Sequence, residues 1–259
     1  LLWPSHVPAD ELASLQSGMT QLDIAGQFQQ APSPPEGAIL KRKDWRYYDR
    51  EFSFYARHRE FTQEVAVELA SAVGEFRFIV HSWHTSLKDQ ASNDPVAGSV
   101  WGACRDTIDR FLLRRHNERM SLNATIETMS SIGMWAMEIW PDVPHYFVIE
   151  DTANGPDVIR AMRKKLTGVT PWAAKGDKES RARAASPALE GHNCFVPGEM
   201  LPDGSGPGPN TPAAIQEFIE LCAKFGSGSP DDDIDAWSQA QNYILSRGSS
   251  TGTAHVVQG

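Results

Sequence analysis

Three short apolar runs in the first half of the chain most constrain its fold. They span residues 76–83, 96–102 and 107–114 and are rich in the residue types that favour β-strands. The breaks between them are short, which favours antiparallel hairpins over crossover connections. The sequence therefore predicts three neighbouring antiparallel strands in one sheet.

The second half of the chain alternates between helical and strand patterns. Apolar side chains recur at helical spacing over 122–140, and a wholly apolar run at 146–149 is typical of a buried strand. Antiparallel strands followed by such an alternation predict an α/β domain with a mixed sheet and flanking helices. Further strands are expected over 169–172 and 194–196, and further helices near 156–166, 178–185, 212–225 and 232–245.

The two ends of the chain differ from its middle. Five prolines punctuate the first 50 residues, which is typical of a connector. The last residues are rich in Gly, Ser and Thr, as frayed termini often are. We expect one folded domain over 51–246, between a linker over 1–50 and a flexible tail over 247–259.

Composition excludes several protein classes. The 259 residues contain no apolar run of about 18 residues, so no transmembrane helix and no membrane partner are expected. The three cysteines, Cys104, Cys194 and Cys222, are far apart and form no CxxC pair. A disulfide framework or a cysteine-ligated zinc site is therefore not expected.

Charge is distributed unevenly along the chain. The formal net charge of −9 disfavours nucleic acid as a partner, but residues 157–184 hold eight basic and only three acidic side chains. Four aspartates crowd into 231–235. A basic patch beside an acidic cluster suits an enzyme that holds a polyanion next to metal ions. Two ordinary solvated faces are the alternative that the pattern leaves open.

Five short segments form an ordered set of motifs. They are QFQQAP from residue 27 with PEG from 35, SWHTSLK from 82 with ND at 93, VIEDTANGP from 148, GDKESRA from 176, and DDDIDA from 231. In this order they resemble the carboxy-terminal part of the large subunit of tailed-phage terminases, the proteins that package and cut viral DNA. The resemblance covers nearly the whole chain.

The resemblance implies a ribonuclease H-like nuclease domain, preceded by a linker from an ATPase motor domain that this chain lacks. It implies that Glu150, Asp231 and Asp232 are catalytic and bind metal, and that Asp235 binds metal as well or supports the residues that do. It further implies double-stranded DNA, the portal protein and the small terminase subunit as partners. The expected place of action is the viral procapsid in the host cytoplasm.

The residue types agree with that chemistry. Two-metal phosphodiester hydrolysis needs carboxylates that hold two divalent ions roughly 3.5–4 Å apart, and Mg²⁺ and Mn²⁺ prefer oxygen ligands. Glu150 follows a predicted buried strand, so its side chain is expected at a sheet edge. Asp231 and Asp232 begin a predicted helix, where negative charge is favoured.

The basic stretch offers candidate phosphate contacts. Lys178 and Arg181 are one helical turn apart and Lys175 precedes them, so all three are predicted to bind DNA as point charges and a fork. A solvated helix face is the equal alternative.

One motif residue departs from the family pattern. Where the family has a first-strand Asp that is expected to bridge two metals, this chain has His84. An imidazole offers a single lone pair to a single ion and suits Mn²⁺ better than Mg²⁺. Three hypotheses stay open: His84 is a one-metal ligand, the change inactivates the nuclease, or Asp89 or Asp94 supplies the missing carboxylate. Inactivation would leave a DNA-binding and docking module that does not cut.

Overall fold

The computed structural model describes residues 39–48, 63–85, 95–151, 155–226 and 231–248. Within these residues, seven strands form one sheet. In chain order they are β1 (Arg46–Tyr48), β2 (Phe76–His84), β3 (Val96–Cys104), β4 (Arg110–Glu118), β5 (His145–Glu150), β6 (Val169–Trp172) and β7 (Cys194–Pro197). Across the sheet the order is β1-β7-β4-β3-β2-β5-β6.

Six α-helices of the described residues accompany the sheet. They are α1 (Gln63–Val73), α2 (Leu122–Ile139), α3 (Gly155–Met162), α4 (Lys178–Glu190), α5 (Ala213–Ala223) and α6 (Asp232–Gly248). None of these helices is long and apolar enough to cross a membrane.

The sheet is mixed, as the sequence predicts. Strands β2, β3 and β4 pair antiparallel, whereas β5, β6, β7 and β1 join their neighbours in parallel. Strand β4, the last of the three predicted antiparallel strands, begins at Arg110 and not near 107. Thr107 and Asp109 precede it in a hydrogen-bonded turn, in which the Thr107 hydroxyl donates to the Asp109 carboxylate (2.9 Å). The hairpin prediction is confirmed.

Apolar residues fill both faces of the sheet. On one face, Trp45, Trp101 and Trp237 are fully buried in a cluster that includes residues of α4, α5 and α6. On the other face, Trp83 and Met129 belong to a cluster with residues of α2 and α3. A core on each face requires helices on each face, and the predicted α/β fold, a mixed sheet with flanking helices, is confirmed.

The folded domain begins before residue 51. Strand β1 pairs in parallel with β7, with Arg46 opposite Phe195, and Trp45 is completely buried. These residues lie in the segment that the sequence assigns to the linker. A three-residue strand is too short to show a periodic pattern, and its partner is far away in the chain. Residues 1–38 and 249–259 lie outside the described residues.

Candidate active site

The candidate site lies at one edge of the sheet. His84 is the last residue of β2, and Glu150 is the last residue of β5. These strands are parallel neighbours, with Trp83 opposite Ile149, so both side chains emerge at the same edge. Helix α6 packs against β2 and β5 and begins at this edge with Asp232.

His84 lies at the centre of the site. Its Nδ1 is hydrogen-bonded to the Glu150 carboxylate. Its Nε2 lies 3.5 Å from an oxygen of Asp232 and 3.8 Å from an oxygen of Asp235. All four side chains are nearly buried. The ring therefore joins the end of the sheet to the first turn of α6.

The surroundings shift the pKa values of both hydrogen-bonded partners. Burial opposes protonation of His84, but the hydrogen bond to Glu150 and the charges of Asp235, Glu150 and Asp232 outweigh it and raise the His84 pKa. Burial likewise opposes ionisation of Glu150, but His84, Arg181 and Lys178 outweigh it and lower the Glu150 pKa. The pair is therefore stabilised as an imidazolium beside a carboxylate.

Two basic side chains of α4 bind the acidic cluster. Lys178 Nζ lies 2.5 Å from Asp231 Oδ1 and 2.9 Å from Asp235 Oδ2. Arg181 Nη2 lies 2.5 Å from Asp235 Oδ1. The burial of Lys178 works against its charge, but the hydrogen bonds to Asp231 and Asp235 raise the lysine pKa. The side chains predicted to hold phosphate therefore contact carboxylates here.

Asp233 turns away from its neighbours. Asp232 and Asp235 are three residues apart and share a face of α6, whereas Asp233 lies on another. There it accepts two hydrogen bonds from Arg115 of β4 (2.9 and 2.7 Å) and one from Asn117. Both Arg115 and Asp233 are nearly buried. This ion pair anchors the first turn of α6 to the sheet.

A buried amide ties α6 to the two strands that end in the site. Gln239 Nε2 donates to the carbonyl of Val148 (2.9 Å), to the hydroxyl of Ser82 (3.0 Å) and to the carbonyl of Trp83 (3.3 Å). The Ser82 hydroxyl in turn donates to the carbonyl of Ala236 (2.7 Å). These bonds fix the position of α6 along β2 and β5, and therefore the position of its aspartates at the strand ends.

The sequence does not predict the residues that hold α6 in position, which are Arg115, Asn117 and Gln239. Arg115 and Asn117 belong to a polar run at the end of an apolar strand, which was a signal that they face polar groups. Gln239 follows Asp235 by four residues, the spacing of one helix face. Neither signal identifies the partner.

Gly155 allows the chain to pass close behind Glu150. A Cβ at this position would collide with the backbone carbonyl oxygen of Glu150. Because the obstacle is backbone, the clash could be relieved only by moving the end of β5. The start of α3 and the position of Glu150 are therefore coupled.

The structure brings most of the predicted site residues together. Lys175 is exposed in the loop before α4. Asp89 and Asp94, the alternative carboxylates, lie outside the described residues. The residues that meet at the sheet edge are His84, Glu150, Asp231, Asp232, Asp235, Lys178 and Arg181.

The donor chemistry of the site fits a hard divalent ion. Glu150, Asp231, Asp232 and Asp235 supply carboxylate oxygens, which Mg²⁺ and Mn²⁺ prefer. The four carboxylates outnumber the basic groups that face them, even with His84 protonated. Among the described residues, however, no three His, Cys, Asp or Glu side chains are arranged as a ready ligand set. Two of the carboxylates, Asp231 and Asp235, are bound by Lys178 and Arg181.

No protein-family model matches the chain, and no curated protein matches it significantly. Solved structures do match. A large terminase from a thermophilic bacteriophage is 13% identical, with a TM-score of 0.48 over 93% of this chain and 54% of that chain. The chain thus spans about half the length of that terminase.

Two further matches are separate nuclease domains. The large terminase nuclease of the thermophilic phage G20c, with bound magnesium, is 12% identical, with a TM-score of 0.45 over 64% of this chain and 80% of that chain. The large terminase nuclease domain of bacteriophage SPP1, with bound Mn, is 12% identical, with a TM-score of 0.39 over 67% and 90%. All three matches come from the family that the sequence motifs resemble.

Proposed function

We propose that this chain is the metal-dependent endonuclease domain of a viral DNA-packaging terminase. Its substrate is concatemeric double-stranded DNA, and its reaction is two-metal hydrolysis of phosphodiester bonds. One observation supports this proposal most: side chains from β2, β5 and the first turn of α6, far apart in the sequence, converge at one sheet edge. Glu150, Asp231 and Asp232 are the catalytic residues of the proposal.

Glu150, Asp231 and Asp232 would hold Mg²⁺ or Mn²⁺, with Asp235 beside them and His84 as a nitrogen ligand. Bound divalent ions would activate a water molecule and stabilise the leaving oxygen. The residues themselves orient the site: His84 positions Glu150, and the Arg115–Asp233 pair fixes the helix turn that presents Asp232.

The basic residues would hold the substrate. Lys175 is exposed and is available to a backbone phosphate. Lys178 and Arg181 would exchange their carboxylate partners for phosphates once divalent ions neutralise the acidic cluster in their place. Backbone contacts of this kind predict cleavage with low sequence specificity.

A DNA-binding and docking module that does not cut is the second candidate. It is favoured by His84, which is bound to Glu150 where the family pattern expects a bridging carboxylate. The cations on Asp231 and Asp235 favour it as well, because they neutralise part of the cluster's charge without metal.

Supercoiled plasmid separates the two candidates. The protein is incubated with plasmid in Mg²⁺, in Mn²⁺ and in EDTA. The nuclease proposal expects nicked and linear products with metal and none in EDTA. A mobility shift without cleavage in either metal would reject the nuclease and favour the module.

The proposed setting follows from the same resemblance. The domain would act at the viral procapsid in the host cytoplasm, with the portal protein, the small terminase subunit and an ATPase motor domain as partners. Co-purification of the chain with a portal ring, with and without the motor domain present, tests this assembly.

A further inference from the structure

We propose that the cleft between α3 and β6 is a second DNA-backbone site, in which Arg160 and Arg163 hold phosphates beside the metal site. The inference rests on the proposed function, because it assigns DNA to a surface of the same domain. The cleft has a volume of about 350 Å³. Its lining residues are Asp151, Pro156, Ile159, Arg160, Arg163 and Pro171.

The cleft begins next to the candidate active site. Asp151 directly follows Glu150, and its N–H donates to the carbonyl of Trp172 in β6 (2.9 Å). Strand β6 is the edge strand on this side of the described sheet. A DNA strand whose phosphate lies at Glu150, at the end of β5, can therefore continue past the end of β6 into the cleft without crossing another strand of the described sheet.

The arginines of the cleft are more available to a phosphate than Lys178 and Arg181 are. Among the described residues, Arg160 is paired with Asp157 alone, at 3.1 Å; both side chains are more than half exposed, so the pair contributes little. Arg163 forms no ion pair with another described residue. Lys178 and Arg181, by contrast, are held by Asp231 and Asp235. The local charge favours an anion, since residues 155–175 contain five basic side chains and one acidic one.

The lining suits a sugar–phosphate backbone. Arg160 lies in α3, and Arg163 directly follows the helix, where its N–H still donates to the carbonyl of Ile159 (3.0 Å). Both side chains line the cleft, and both guanidinium groups offer forks to phosphates. Pro156, Ile159 and Pro171 give an apolar wall against which deoxyribose can pack. Asp151 repels phosphate, which places the phosphates at the arginine end. Contacts to backbone phosphates carry no base information, so we expect binding in the cleft to be independent of sequence.

The experiment measures DNA binding without cleavage. Fluorescence anisotropy of two unrelated duplexes is recorded over a range of KCl concentrations in EDTA. For Arg160→Ala/Arg163→Ala, we expect the slope of log affinity against log salt to become shallower by roughly 0.9 per lost phosphate contact, so about two units, equally for both duplexes. Arg160→Lys/Arg163→Lys keeps both charges and should keep the wild-type slope.

Arg105→Ala is the matched control. Arg105 is a similarly exposed arginine directly after β3, at the end of the sheet opposite the candidate site, and it pairs with Glu75. Its loss should leave the slope unchanged. A wild-type slope in the double Ala variant, or an equal loss in Arg105→Ala, would overturn the proposal. Binding is measured in EDTA, where no cleavage is expected, so the two proposals can fail separately. If the cleft variants change the salt slope as expected but the wild-type protein does not cut plasmid in Mg²⁺ or Mn²⁺, only the proposed nuclease is refuted.

Discussion

The imidazole of His84 is hydrogen-bonded to the carboxylate of Glu150 across the ends of two neighbouring parallel strands. The bond uses one ring nitrogen, and the other nitrogen faces Asp232 and Asp235. A carboxylate in place of this ring could offer an oxygen to each of two ions, which an imidazole cannot. In the proposed nuclease, the residue at position 84 would therefore decide how the acidic side chains share metal.

Replacing His84 with Asp should restore the bridging carboxylate. We expect His84→Asp to cleave plasmid faster than wild type in Mg²⁺, by roughly an order of magnitude, and to reduce any preference for Mn²⁺. His84→Ala removes the ring without adding a carboxylate and should give no gain. Cleavage rates against metal concentration check this. A His84→Asp variant no faster than wild type in Mg²⁺ would mean that position 84 is not the vacant bridging position.

The stability of the metal-free protein should depend on pH through His84. Its raised pKa means that the protonated ring stabilises the fold; this contribution is complete below the unfolded pKa of about 6.5 and is lost as pH rises through the folded pKa. Glu150, with its lowered pKa, stays ionised above pH 6. Urea unfolding in EDTA at pH 6 and pH 9 should show the gap between wild type and His84→Asn shrinking at pH 9. A constant gap would contradict this.

Lys178 should compete with metal for the carboxylates. Lys178→Met removes the ammonium group that lies on Asp231 and Asp235, so a divalent ion no longer has to displace it. We expect the variant to bind Mn²⁺ more tightly in calorimetric titrations without DNA. Lys175→Met removes the same charge from an exposed loop position and should change affinity less. Equal affinities in the two variants would show that Lys178 does not occupy the ion's position.

Gln239 should be needed for stability as well as for the position of α6. Gln239→Met keeps the approximate volume but removes the hydrogen bonds that Gln239 donates to Ser82, Trp83 and Val148. A hydrogen bond contributes about 0.5–1.5 kcal/mol net, so we expect a loss of about 1–3 kcal/mol of unfolding free energy, which urea denaturation would measure. Gln216→Met, which loses one partly buried bond to Thr211, should cost less. A loss as small as that of the control would deny Gln239 this role.

The sequence predicts the elements of the fold better than their long-range pairings. Apolar runs and helical spacing locate the strands that end at His84 and Glu150 and the helix that starts at Asp232, because these patterns are local. Strand β1 cannot be predicted in this way, because three residues are too few to show a periodic pattern. Its pairing partner, the strand that contains Phe195, is far away in the chain. Local composition there suggests a connector.

The partners of charged residues are equally non-local. DDDIDA predicts a cluster of aspartates, but only the tertiary structure shows that Asp233 pairs with Arg115 of β4 and not with the site. Likewise, the spacing of Lys178 and Arg181 fits phosphate contacts and gives no sign of Asp235 more than 50 residues away. Which charges meet is decided by tertiary structure.

Metal-dependent cleavage by Asp232→Asn and Asp177→Asn tests the central claim most directly. Asn keeps the shape of Asp232 but removes the charge that faces His84 in the site, whereas Asp177 is an exposed N-cap of α4 that Asn can replace. If the acidic cluster holds divalent ions for hydrolysis, Asp232→Asn should lower the plasmid cleavage rate in Mn²⁺ at least roughly 100-fold while the unfolding transition persists, and Asp177→Asn should cleave like wild type. Wild-type cleavage by Asp232→Asn would contradict the account.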